Sequence, residues 1–133
     1  MRELKFRAIY KPDLEKKEYL PFIMKVVNDE LIFVMENDED FKYPFQAVFQ
    51  DDDWIKLQYA GLKDKNNREV YEGDKIIIHQ LNRSIFLTEV IFMQGAFLNN
   101  YTKELLPKSE DIEVIGNIYE HPELCERVVE GEK

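Results

Sequence analysis

The side chains able to act as hydroxyl or thiol nucleophiles are few: Ser84, Ser109, Thr88, Thr102 and Cys125. His79 and His121 are the only imidazole bases that could activate them. Covalent hydrolysis needs a nucleophile beside a base with oxyanion donors close by, and neither serine has the Gly-x-Ser-x-Gly surroundings of a nucleophile elbow. Cys125 falls on the apolar stripe of a predicted helix, so a packed, inert thiol is expected. No His-x-x-x-His or Cys-x-x-Cys pair exists to seed a zinc site. His121 before Pro122 reads as a cap or turn residue, and His79 as the end of a strand.

Acidic runs are the other possible source of chemistry. Asp38-Glu39-Asp40 and Asp51-Asp52-Asp53 lack the Asp-x-Asp-x-Asp-Gly spacing and the distal bidentate Glu of a calcium loop, so solvated loops are expected. Carboxylate pairs can serve as acid and base, but with 27 acidic residues some will be neighbours by chance. Phosphate-cradling motifs are absent, and five glycines leave few positions for a backbone cradle. The expectation is a chain with no catalytic residue, no cofactor and no metal, and hence not an enzyme.

Charge decides between classes of partner. Lys and Arg number 18 against 27 Asp and Glu, a net charge of −9, which repels phosphate backbones and anionic lipid heads. The imbalance is uneven. Residues 1–57 hold 9 basic and 13 acidic groups, residues 58–106 hold 6 and 6, and residues 107–133 hold 3 and 8. A basic partner should therefore meet the ends first. Lys5 and Arg7 alternate with apolar groups as in single-strand nucleic-acid grooves, but two charges are too few. The partner expected is a protein or a second copy of the chain, with no direct nucleic-acid contact and no membrane. One cysteine excludes an internal disulfide and suits a reducing compartment. No segment approaches the roughly 20 apolar residues of a membrane span, so a cytoplasmic location is expected.

The elements that must position these residues follow period two. Leu4, Phe6, Ala8 and Tyr10 share one strand face. Tyr19–Val27 and Leu31–Met35 form a hairpin about Asn28-Asp29-Glu30. Glu36–Tyr43 reads as an exposed connection, Phe45–Gln50 as a short strand or helical turn, and Trp54–Tyr59 as a strand. Gly61–Asn67 is a turn, followed by strands at Lys75–His79, Ile85–Met93, Ala96–Tyr101 and Ile112–Tyr119. Leu124, Cys125, Val128 and Val129 lie at helical spacings after Pro122 and before Gly131, predicting a short C-terminal helix. Short strands at this spacing suit a small barrel or sandwich, and 133 residues suit one compact unit.

The segment Gln58-Tyr59-Ala60-Gly61-Leu62-Lys63-Asp64-Lys65-Asn66-Asn67-Arg68-Glu69-Val70-Tyr71-Glu72-Gly73-Asp74 resembles the YopX family of phage and prophage proteins. Arg2–Ala8 and Val114–Leu124 agree with the same family, so the resemblance reaches both ends. Ala60 stands where the family usually has Thr, Asn67 where it has Gly, and His121 where it commonly has Asn. Membership implies a mainly β fold with a small SH3-like barrel core, and a phage accessory protein with no established activity. Combined with the pattern above, residues 1–57 are expected to form an N-terminal β extension, and residues 58–133 the barrel with its C-terminal helix. Within the signature, Gly61 and Gly73 mark turns, Asp64 and Asp74 can accept turn amides, and Leu62, Val70, Tyr71 and Ile76 supply core. Gln58, Tyr59 and Asn117 carry polar atoms beyond what packing requires and are the candidate binding residues. The function expected is a non-enzymatic protein-interaction or self-assembling module; the alternative is an acidic nucleic-acid mimic that occupies a DNA-binding protein.

Overall fold

A computed structural model describes residues 5–35, 38–80 and 84–130, and the chain divides into two units, Glu3–Gln58 and Tyr59–Lys133 with Met1–Arg2. Leu4, on the predicted first strand face, and Gly131, the predicted helix stop, lie outside the described residues.

In the first unit, β1 (Phe6–Tyr10) leads into the short helix α1 (Lys11–Glu15), then β2 (Pro21–Val27), β3 (Glu30–Met35), β4 (Asp38–Pro44), the short helix α2 (Phe45–Phe49) and the start of β5 (Trp54–Lys63). The strands run in the order β4-β3-β2-β1-β5, each pair antiparallel. The β2–β3 hairpin turns on Asn28 (φ 52°) and Asp29 (φ 64°), two residue types that tolerate the left-handed region. Register places Tyr10 opposite Trp54, Ala8 opposite Phe22, Phe22 opposite Met35, and Phe33 opposite Tyr43, so one face collects the aromatic groups. Ala8, Phe22, Phe33 and Trp54 are buried on it, and α2 covers it with Val48, Phe45 and Phe49. Ile9 is also fully buried, which strict alternation from Phe6 to Tyr10 does not anticipate. The acidic stretch read as a connection is β4, an edge strand; its outer side needs no apolar partner, so Asp38 and Asp40 stay solvated beside Phe41 and Tyr43.

The second unit takes the rest of β5, then β6 (Glu69–Tyr71), β7 (Asp74–Ile78), β8 (Ile85–Met93), β9 (Ala96–Asn99), a 3-10 turn at Ser109–Asp111, β10 (Ile112–Asn117) and β11 (Arg127–Glu130). One sheet has the order β10-β7-β8-β11, with β9 paired to the far half of β8. Its core is Val70, Ile76, Ile78, Phe86, Val90, Phe97 and Ile112 with Ala60.

Two expectations are corrected here. The sheets are open and no SH3-like barrel closes: β10 and β11 stand at opposite edges without pairing, and β6 hydrogen-bonds to β5 instead of extending the β7 sheet. The C-terminal helix is absent as well. Residues 122–123 form a turn, and β11 pairs with the start of β8, Arg127 opposite Leu87 and Val128 opposite Phe86. Glu126 explains the preference. Its carboxylate accepts Thr88 Oγ1 at 2.6 Å and Asn100 Nδ2 at 2.9 Å, fixing the segment against β8 where β-branched Val128 and Val129 extend readily. Cys125, expected to be packed in that helix, is exposed.

Candidate functional site

The signature residues tie turns together. Asp64, 3% exposed, accepts the Asn66 and Arg68 amides on Oδ1 at 2.9 and 2.8 Å, and the Val114 amide on Oδ2 at 2.9 Å. Burial alone would raise its pKa, but the three amides and the Arg68 charge outweigh it and hold the carboxyl below the usual aspartate value. Asn67 sits at φ 66°, a left-handed turn position that Asn tolerates better than most residue types. Asp74 Oδ2 accepts the Tyr71 amide at 2.8 Å around Gly73, whose φ is 88°.

Of the three candidate binding residues, Tyr59 is buried with its ring 5.5 Å from Tyr71. Asn117 is buried opposite Asp74. Its Oδ1 accepts the Tyr119 and Glu120 amides at 2.9 and 2.8 Å, and its Nδ2 donates to Glu120. Gln58 lies opposite Phe6 on β5. A chain of neighbours thus links Tyr59 through Tyr71 and Asp74 to Asn117, and Gln58 is the last residue of the first unit.

A second polar cluster lies on β8. Burial raises the pKa of Glu89, which Lys75 opposes and Glu126 reinforces; Tyr119 is raised by burial and by Glu72 and Glu89. Lys75 and Glu89 are cross-strand partners. Among the described residues no group of three or more His, Cys, Asp or Glu side chains could hold a metal ion.

The feature that sequence reasoning missed is an aromatic bowl of about 510 Å³ in the first unit. Phe22, Val48 and Trp54 are buried at its floor, while Phe41, Tyr43 and Ala47 form an exposed rim. Tyr10, Phe22 and Tyr43 surround Trp54 at centroid distances of 5.0, 5.1 and 5.3 Å. Strand register explains the convergence, since Tyr10 and Trp54 are direct partners and β3 joins the Phe22 and Tyr43 positions. Two aspartates reach the lining through turns. The carbonyl of Asp13 accepts the Glu18 amide at 2.9 Å at the end of α1. Asp51 precedes β5: its Oδ1 takes the Asp53 amide at 2.9 Å, and its carbonyl takes Trp54 N at 3.1 Å and Lys56 Nζ at 3.2 Å. The signal that could have revealed the bowl is aromatic residues on one parity of four strands beside the Asp51-Asp52-Asp53 run.

The open two-sheet architecture places the chain in a class of mainly β proteins with a solved example. It is similar to protein EF1440 from Enterococcus faecalis, known from a crystal structure: TM-score 0.56 and 23% identity over 93% of this chain and 99% of that one. At this identity the likeness concerns the fold. The chain belongs to the YopX protein family, whose model matches residues 5–126. Comparison with curated proteins finds none that matches. No described helix is long and apolar enough to cross a membrane.

Proposed function

We propose that this YopX-family chain is a non-enzymatic phage accessory protein that works by binding a protein partner or a second copy of itself, with the aromatic bowl of the first unit as the recognition surface. The observation that carries the reading is a pair of accessible aromatic residues beside a hollow: Phe41 is 53% and Tyr43 42% exposed, on an edge strand next to the aromatic floor. Exposed aromatic groups over a preformed hollow are what interface hot spots use, because they bury large area at small entropic cost. An edge strand also offers unpaired backbone groups to an incoming strand.

The test is a photo-cross-linking amino acid at Ala47 on the bowl rim, compared with one at exposed Lys63 on the second unit. A discrete adduct from position 47 alone supports the reading, and its mass separates a heterologous partner from a second copy. Equal or absent adducts from the two positions would overturn it.

A further inference from the structure

We propose that His121 is a proton-sensitive pin: with Nδ1 free of a proton it fastens the turn that follows β10, and protonation of the ring releases that turn. The pin lies in the second unit, and neither it nor its test depends on the bowl. Asn117, the last residue of β10, is 8% exposed, and its backbone N–H donates to His121 Nδ1 at 3.2 Å while the His121 amide donates back to the Asn117 carbonyl at 2.9 Å. The Asn117 side chain closes the same turn, since Oδ1 accepts the Tyr119 and Glu120 amides and Nδ2 donates to Glu120 Oε1. The imidazole lies so close over Gly116 that a Cβ there would overlap it, so the ring is seated against the strand it fastens. The turn leads into the segment that Glu126 ties to β8, and its release loosens the path from β10 to β11.

The imidazole bond differs from the others that meet at Asn117, because its acceptor can become a donor. A ring nitrogen accepts an N–H through its lone pair, and a proton on Nδ1 takes that pair and sets two N–H groups face to face. The Asn117 amide is then left without its acceptor, and an unsatisfied donor costs more than an average hydrogen bond contributes. A carboxyl that takes up a proton keeps lone pairs, so Glu120 does not reverse in this way. The charged groups around the ring come from two elements. β7 places Lys75 opposite Gly116 and Asp74 opposite Asn117, with Asp74 Oδ2 already accepting the Tyr71 amide. The turn itself carries Glu120 and the exposed Glu123. Tyr119, whose pKa is raised by burial and by Glu72 and Glu89, keeps its proton where imidazoles change charge.

The test is NMR on the full chain at about pH 8 and about pH 5, the span over which imidazoles change charge. Ring nitrogen shifts of His121 at the upper pH are expected to show the proton on Nε2 and the lone pair on Nδ1. Once the ring is protonated, hydrogen-exchange protection of the Asn117 amide, corrected for the intrinsic pH dependence of exchange, is expected to fall at least about tenfold. The amides of the fully buried Ile76 and Val90, in the core of the same unit, should keep their protection. His121→Asn is the second arm: its side-chain oxygen stands on Cγ as Nδ1 does, accepts the same amide and takes up no proton in this range, so the variant should hold the Asn117 protection at both pH values. A proton on Nδ1 at the upper pH, a ring still neutral at the lower, unchanged Asn117 protection after protonation, or the same loss in His121→Asn would each overturn the pin. A fall shared equally by Asn117, Ile76 and Val90 would overturn it too, because acid then unfolds the unit and not the turn.

Discussion

Replacing Asp64 by Ala removes the acceptor for three backbone amides at once. The magnitude follows from who can rescue each amide. Asn66 and Arg68 are exposed, so water can reach their N–H groups, and each loss costs about 1 kcal/mol. Val114 is half-buried on β10, and its amide loses a charged acceptor for about 2 kcal/mol. The sum, about 4 kcal/mol, is a large part of the stability of a small unit. Urea titration followed through the NMR signals of the buried Ile76 and Val90 methyls should show the midpoint falling by about 2–4 M. Asp64→Asn keeps one oxygen for Asn66 and Arg68 but turns an amide donor toward Val114 N–H, and should cost about 2 kcal/mol. The pH dependence has a fixed sign. Asp64 is held below its ordinary value of 3.8, so the unfolded chain binds the proton first. Its contribution is fully present above the unfolded value and is lost as pH falls through the folded one; the gap between wild type and Asp64→Asn should narrow over that range. A loss below about 1 kcal/mol for Asp64→Ala, with no narrowing in acid, would refute the reasoning.

Three further outcomes are expected. A Cβ at Gly116 would overlap the His121 ring, whose Nδ1 accepts the Asn117 amide, so Gly116→Ala should cost about 1–3 kcal/mol in urea unfolding and Gly116→Ala/His121→Ala should recover part of it. Phe33 is fully buried and stacks on Phe45 and Phe49 at 5.7 and 6.1 Å; Phe33→Ala should lower stability by about 3–5 kcal/mol when followed by Trp54 fluorescence. Because Cys125 is exposed, a thiol reagent should label one equivalent in native buffer as fast as in denaturant, and slow labelling would restore the packed-thiol expectation.

What was legible in the sequence was local. Asn28-Asp29 announces its hairpin because few residue types accept two successive positive φ angles, and the β-branched run Ile85–Met93 is the strand β8. Asp64 and Asp74 were readable as turn acceptors for the same reason, since short carboxylates bond amides within a few residues. The C-terminal segment misled because Leu124, Cys125, Val128 and Val129 fit a helix locally, whereas Thr88 and Asn100, distant in sequence, hold Glu126 on a sheet edge. That the sheets stay open and form no barrel was equally invisible, as closure depends on which edges meet and not on any strand's own pattern. The bowl is the extreme case: Tyr10, Phe22, Tyr43 and Trp54 come from four strands, and only register brings their rings within 6 Å.

The central claim is that this register builds a recognition surface in the first unit. The measurement that meets it most directly is photo-cross-linking from Ala47 on the bowl rim, with Lys63 as the comparison position. A discrete adduct from position 47 alone is predicted. Equal or absent adducts from the two positions would contradict the account.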